Sequence, residues 1–131
     1  MSESIAKQWL QDAANSANTK DHAAYMALIS KNVSLEGAAG FEHFSFDDWS
    51  AQIEYDFSDN ILQFIRYEGF KLLTTTDTQI TFKTFETVKA SDGTVNAQGI
   101  EVLLEKEEDG VWRLRQERIL PDDEAKHDGL I

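Results

Sequence analysis

The spacing of apolar residues changes near Ile65, and this change restricts the folds that the chain can adopt. Before Ile65 the apolar residues recur every three or four positions, as on one face of a helix. After it they alternate with polar residues in four strand-like runs, which are separated by short turns rich in Asp, Gly, Ser and Thr. Helices followed by a run of strands are typical of an α+β domain. The sequence therefore predicts N-terminal helices packed on a strongly curved antiparallel sheet.

The first half of the chain also contains signals for where its elements begin and end. Ser45 followed by Asp48 resembles a capping box and marks the start of a third helix. The predicted elements are helix one from Ser4 to Asn18, helix two capped by Thr19 and ending near Asn32, a short strand from Val33 to Glu36, and helix three ending near Ser58.

Composition excludes several classes of function. The chain has 131 residues, with 12 Lys and Arg against 24 Asp and Glu, and a formal net charge of −12. Such a charge repels phosphate backbones and anionic lipids, so we expect neither nucleic acid nor a membrane as a partner. There is no cysteine, which excludes disulfides and thiolate chemistry. Without a nucleotide-binding fingerprint or paired histidines, no cofactor and no metal site is expected.

The chain is predicted to form one domain over residues 1–121, followed by an acidic, flexible tail over residues 122–131. The segment from Met1 to Lys7 carries an acid where a signal peptide has bases, and no apolar run is long enough to span a bilayer. A cytoplasmic location is the resulting default expectation.

Counting along the strands predicts which side chains share the inner face of the sheet. If each turn holds three residues, the closing pairs are Thr75 with Gln79, Ala90 with Thr94, and Glu107 with Val111. Several polar side chains then fall on the apolar face that the helices cover: Glu68, Thr84, Glu86, Gln98, Gln116 and Arg118. Because unpaired charges are costly in a core, these groups either satisfy one another or line a cavity.

The opposite face of the predicted sheet is more apolar than a fully solvated face would be. Its apolar members are Leu73, Phe85, Val95, Leu103 and Ile119. This pattern predicts a homodimer formed through the outer sheet face, and the alternative is a surface that simply tolerates these residues.

Three stretches resemble the nuclear transport factor two-like superfamily, also called SnoaL-like or cystatin-like. Asn18–Ile29 resembles its second helix, Asn32–Gly37 its first strand, and Asp109–Arg118 its last hairpin and strand. With the matching order of elements, the resemblance covers most of residues 4 to 120. It implies a cone-shaped half-barrel, a cavity between sheet and helices, and frequent dimers. It does not imply one function, because members include isomerases, dehydratases, hydrolases and noncatalytic binding proteins.

The candidate catalytic residues are Asp56, Glu36 and His43. In ketosteroid isomerase-like members a carboxylate base lies near the first strand, and the resemblance implies Glu36 for this role. Strand parity, however, sets Glu36 on the solvated side, and Gly37 replaces the neighbouring proline of that family. His43 lies in a Gly-rich loop, where it would either shuttle a proton or be an exposed loop residue.

Asp56 shares a helix face with Trp49, so we expect it to face the core or a cavity. Burial against aromatic rings would raise the pKa of its carboxyl group towards the range of a general acid or base. The alternative is a helix-end carboxylate paired with Arg118 or Arg66.

The leading hypothesis is a small-molecule binding domain for a hydrophobic or amphipathic ligand. Its predicted ligand site comprises a polar floor and aromatic walls, although each aromatic residue would equally suit an ordinary core: Glu86, Gln98, Arg118, Thr84, Gln116, Trp9, Trp49 and Trp112. One alternative is a cofactor-independent isomerase, dehydratase or hydrolase that uses carboxylate acid–base chemistry. Another is a noncatalytic dimeric module that docks a partner.

Overall fold

The computed structural model describes residues 2–37, 44–58 and 61–130, and over these ranges the expected α+β architecture is confirmed. Four helices and five strands make up the described parts of the chain. They are α1 (Ser2–Asn18), α2 (His22–Met26), β1 (Ile29–Glu36), α3 (Phe46–Ser58), β2 (Leu62–Thr75), β3 (Gln79–Ala90), β4 (Val95–Lys106), β5 (Trp112–Ile119) and α4 (Asp122–His127).

The five strands form one curved, open sheet in the order β1-β5-β4-β3-β2. Strands β2 to β5 are an antiparallel meander, as predicted, and β1 pairs in parallel with β5 at the far edge. Helices α1, α2 and α3 cover one face of the sheet, which we call the inner face. The core lies between them, around Phe82, Ile80 and Leu104, whose side chains are fully buried.

The second helix is shorter than the sequence indicates. Asp21, rather than Thr19, caps α2 by accepting a hydrogen bond from the backbone N–H of Ala24 at 3.1 Å. The helix ends at Met26, not near Asn32, because the chain enters the sheet at once: Ile29 already lies beside Leu114 of β5. The predicted capping box of α3 is confirmed, since Ser45 and Asp48 exchange side-chain to backbone hydrogen bonds.

Register shifts in β2 and β5 change which residues face inward. The predicted register of β3 with β4 is confirmed, including the pair of Glu86 with Gln98. The predicted closing pair of Thr75 with Gln79 is wrong, because Thr75 lies opposite Ile80 and the pairing shifts between Leu72 and Thr74. The pairing shifts again by one residue between Glu68 and Lys71, where Gly69 has a φ of +73°. In β5 it shifts between Leu114 and Gln116. A one-residue shift transfers all following side chains to the opposite face.

The inner-face prediction is therefore wrong for the residues beyond each bulge. Tyr67, not Glu68, lies opposite Glu86, and Glu68 is exposed. Glu117 lies opposite Val102 on the inner face, whereas Gln116 and Arg118 point to the outer face.

The segment predicted as a flexible tail forms the short helix α4, which packs on the outer face. Ala125 is buried there, and a Cβ atom at Gly99 would lie 3.0 Å from the Cβ of Ala125. The absence of a side chain at Gly99 thus leaves the space that α4 fills. None of the helices in the described ranges is long and apolar enough to cross a membrane.

Ion pairs hold α4 against the sheet. Arg118 contacts Glu124 at 2.7 Å and Glu101 at 3.1 Å, and Lys83 contacts both Glu124 and Asp128. The hydrogen bond from Arg118, followed by that from Lys83, lowers the pKa of Glu124 to about 2. Helix α4 covers part of the face from which a homodimer was predicted. The homodimer stays a prediction, which the sedimentation mass of the protein tests.

Candidate functional site

A cavity of about 170 Å³ lies between α3 and the inner face of the sheet. Its walls are mainly apolar and aromatic, and three carboxyl groups line it. The lining residues are Ala17, Tyr25, Trp49, Ile53, Asp56, Phe57, Leu62, Ile65, Glu86, Val88 and Glu117. An apolar cavity with a few polar groups is the usual form of a small-molecule site.

Glu86 is buried and hydrogen-bonded at one side of the cavity. Gln98 Nε2 donates a long hydrogen bond of 3.4 Å to Glu86 Oε1, and the Tyr67 hydroxyl also bonds this carboxyl group. Burial raises the pKa of Glu86, while these two hydrogen bonds oppose the rise by stabilising the charged form. The predicted pair of Glu86 and Gln98 thus forms part of the cavity, with Tyr67 in the place expected for Glu68.

Glu117 faces the same cavity without a hydrogen bond to any of the described residues. Burial raises the pKa of its carboxyl group well above the ordinary value, and the negative charge of Glu86 raises it further. Both effects favour the protonated form. A protonated carboxyl group is a hydrogen-bond donor as well as an acceptor.

Asp56 and Trp49 extend into the cavity from α3, as their helical spacing predicts. Gln52 donates a 3.0 Å hydrogen bond to Asp56, and burial raises the pKa of the Asp56 carboxyl group above its usual value. Asp56 has no ion pair with Arg118 or Arg66. The rings of Tyr25 and Phe57 meet edge to face with centroids 6.0 Å apart, which completes the aromatic side of the cavity.

Solved structures of low sequence identity share this arrangement of helices and sheet. A protein of unknown function from Shewanella oneidensis MR-1, described as NTF-2 like, matches with a TM-score of 0.72 and 15% identity over 91% of this chain and 98% of its own. The chain has the nuclear transport factor two-like fold. No protein-family model and no curated protein matches the sequence.

Two further structures with the nuclear transport factor two-like fold bear the names of enzymes. A protein proposed to be a scytalone dehydratase, from Novosphingobium aromaticivorans DSM 12444, has a TM-score of 0.73 and 9% identity over 89% of this chain and 81% of its own. One proposed to be a ketosteroid isomerase, from Shewanella frigidimarina NCIMB 400, has a TM-score of 0.69 and 14% identity over 91% of this chain and 97% of its own. At these identities the likeness establishes the fold, and function must be judged from the cavity.

Several residues predicted for the site lie away from the cavity. Arg118 belongs to the ion pairs under α4, and Gln116 lies on the outer face. Thr84 is fully buried, but its hydroxyl donates to the carbonyl of Gly69 at 2.6 Å and does not line the cavity. Glu36 is exposed at the end of β1, beside Arg118. His43 lies outside the described residues.

Only one of the three tryptophans lines the cavity. Trp9 is buried in the core, where its Nε1 donates to the carbonyl of Leu28 at 3.1 Å. Trp112 packs against the edge of the core at the start of β5. The third, Trp49, forms part of the aromatic wall of the cavity between α3 and the sheet. In the described ranges no group of three His, Cys, Asp or Glu residues could hold a metal ion.

The residue that sequence reasoning missed is Glu117. Simple alternation along β5 places Glu117 on the same outer face as Arg113 and Arg115, because nothing in the sequence interrupts the two-residue period. Nothing in the sequence around Arg115 indicates a bulge. Gly69, by contrast, is a glycine within a strand pattern, and such a glycine is a recognised signal for a bulge.

Proposed function

We propose that this chain is a small-molecule binding domain whose ligand occupies the cavity between α3 and the inner face of the sheet. The observation that supports the proposal is the Glu117 carboxyl group, which lies in this cavity without a hydrogen bond to any described residue. Its raised pKa favours the protonated form. The half-buried carboxyl group can donate a hydrogen bond into the cavity, and a ligand with a neutral acceptor oxygen would accept it.

The dimensions of the cavity indicate a compact ligand. An apolar cavity of about 150 Å³ in another protein holds one benzene molecule, and the cavity here measures about 170 Å³. Its aromatic walls, Tyr25, Trp49 and Phe57, favour a ring or a branched hydrocarbon. The proposed ligand class is therefore a small carbonyl compound with an apolar, ring-sized body.

Cyclohexanone and methylcyclohexane form a matched pair of probes for this proposal. Both have the same ring with one substituent, and only the ketone accepts a hydrogen bond. We expect ligand-observed NMR to show that cyclohexanone binds about fivefold more tightly, as one net hydrogen bond allows. Glu117→Gln should keep this preference because its amide still donates, and Glu117→Leu should abolish it. The preference of the wild-type protein should also decline as rising pH ionises Glu117, whereas that of Glu117→Gln should not.

Two outcomes would contradict the binding proposal. One is that neither probe binds. The other is that Glu117→Leu discriminates between the probes as well as the wild-type protein does, since the donor would then lie elsewhere.

Acid–base catalysis is the second candidate function, and Asp56 is the observation that favours it. Asp56 and Glu117 line one cavity, and both have raised pKa values, with the stronger rise at the more deeply enclosed Glu117. Two carboxyl groups whose environments separate their pKa values can act as base and acid in one reaction. Asp56 would remove a proton next to the carbonyl group while Glu117 donates a hydrogen bond to its oxygen.

Exchange of the α-protons of cyclohexanone for deuterium, followed by NMR in heavy water, measures this chemistry directly. We expect Asp56→Asn to slow the protein-dependent exchange by about 100-fold, the lower range for a lost general base. Asp47→Asn is the matched control, because Asp47 is exposed in the first turn of the same helix. Equal exchange rates in the two variants would exclude Asp56 as the base.

A further inference from the structure

A second, larger space lies beside the cavity, between α1 and β2. This α1–β2 groove measures about 590 Å³, against about 170 Å³ for the cavity. Ala17 of α1 lines the cavity, whereas Ala14 and Leu10, about one and two turns earlier on the helix, line the groove. The two spaces therefore follow one another along α1.

The register of β2 with β3 gives the same order on the sheet. Ile65 lines both spaces. At the next inner-facing pair, Tyr67 of β2 lines the groove and Glu86 of β3 lines the cavity. Beyond this pair, Thr84 lines the groove, and its hydroxyl donates to the carbonyl of Gly69 at 2.6 Å. The pair of Tyr67 and Glu86 thus marks the boundary between the groove and the cavity.

Tyr67 extends across this boundary. Its side chain lines the groove, and its hydroxyl donates a hydrogen bond to Glu86, which lines the cavity. Burial raises the pKa of this hydroxyl well above its usual value, and the charges of Glu86, Tyr25 and Glu117 raise it further. The hydroxyl therefore stays protonated and remains a donor to Glu86, which helps to hold the ring between the two spaces.

We propose that the ring of Tyr67 determines the maximum length of a ligand in the cavity. This inference rests on the proposed binding function and narrows its ligand class to rings without a long side chain. On the far side of Tyr67, Leu10, Ala14 and Phe70 give the groove an apolar surface that a hydrocarbon chain fits. Each methylene buried there would tighten binding about fourfold, and the ring of Tyr67 denies this gain to a ligand in the cavity.

Cyclohexanone and its three butyl derivatives are the probes for this proposal. The butylcyclohexanones carry the same hydrocarbon tail beside, next but one to, or opposite the carbonyl carbon, so between them they direct the tail to every side of the ring. We expect ligand-observed NMR to show that none of them binds the wild-type protein more tightly than cyclohexanone does. This measurement needs no variant, so it does not depend on how a substitution affects folding.

Tyr67→Val removes the ring, joins the cavity to the groove and leaves a side chain that suits a strand. We expect at least one butylcyclohexanone to bind this variant about tenfold more tightly than cyclohexanone does, less than full burial of the tail would give. Tyr67→Phe keeps the ring and should gain less than Tyr67→Val. Phe70→Ala is the matched control, because it removes another half-buried aromatic ring from β2 that lines the groove but not the cavity.

Tyr67→Leu repeats the test with more of the core contacts of the ring retained, in case Tyr67→Val does not fold. A butylcyclohexanone that binds the wild-type protein about tenfold more tightly than cyclohexanone, no gain in the folded Tyr67 variants, or an equal gain in Phe70→Ala would each overturn the assignment. The two proposals can fail separately. If cyclohexanone binds but removing the ring gives no gain, only the length limit fails, whereas the binding function itself fails if cyclohexanone does not bind.

Discussion

Raising the pH from 5 to 8 is expected to lower the unfolding temperature of this protein, and the cause lies in Glu86 and Glu117. Burial raises the pKa of both carboxyl groups in the folded state, so they retain protons that the unfolded chain has already released. Where the folded state binds more protons than the unfolded state, the free energy of unfolding falls as pH rises. The decline begins near the ordinary glutamate pKa and continues up to the raised values.

The ion pairs under α4 do not produce this decline. The pKa values of Glu124 and Asp128 are lowered to about 2, mainly by hydrogen bonds from Arg118 and Lys71, respectively. A lowered carboxyl pKa contributes stability that is complete above the ordinary pKa and is lost as pH falls towards 2. Between pH 5 and 8 that contribution is constant. The two groups of carboxylates therefore act on opposite sides of a stability maximum near pH 5.

The double variant Glu86→Gln, Glu117→Gln separates this effect from the repulsion among all the acidic residues. Each tenfold change in an ionisation constant corresponds to about 1.4 kcal/mol, which for a chain of this length is an unfolding-temperature difference of roughly 5 °C. We expect the double variant to unfold at a higher temperature than the wild-type protein at pH 8, and at nearly the same temperature at pH 5.

Glu108→Gln is the control for this experiment, since Glu108 is exposed in the turn between β4 and β5. Differential scanning calorimetry at the two pH values measures all three proteins. If Glu108→Gln flattened the pH dependence as much as the double variant did, overall charge rather than the cavity would be responsible.

The sheet shows how far the sequence alone could predict the candidate site. Pairing of Glu86 with Gln98 was predictable because the turn at Ser91–Gly93 sets the register and no bulge interrupts the β3–β4 ladder. Asp56 and Trp49 were predictable because a capped helix with a clear apolar stripe has a definite inner face. Each of these inferences depends only on local geometry.

The inference about Arg118 failed, and Glu117 was missed, because both required counting through a bulge. One extra residue near Arg115 exchanges the faces of everything that follows in β5. The error also concealed the role of the C-terminal segment. On the outer face of the sheet, Arg118 pairs with Glu124. Glu124 and Asp128, whose charges predict a solvated tail, instead contact Arg118, Lys83 and Lys71. One local irregularity thus altered both the cavity and the outer face.

Gly37→Ala is expected to destabilise the protein severely, because two independent costs coincide at this position. The backbone of Gly37 has a φ of +83°, which side-chain-bearing residues adopt at a cost of about 1 kcal/mol or more. In addition, a Cβ atom at Gly37 would lie 2.6 Å from the backbone carbonyl oxygen of Ile119. Since that oxygen belongs to β5, the end of β1 must move away from the strand with which it pairs.

Gly110→Ala isolates the backbone cost from the collision. Gly110 has nearly the same φ, +82°, but an added Cβ atom would meet nothing within 4 Å. We expect Gly110→Ala to lower the unfolding temperature by roughly 4 °C, for about 1 kcal/mol of left-handed strain. Gly37→Ala should lower it by roughly 10 °C, because overpacking adds about 1 to 3 kcal/mol. Equal losses in the two variants would show that β1 can separate from β5 without cost, and that their parallel pairing contributes little to holding the inner face in place.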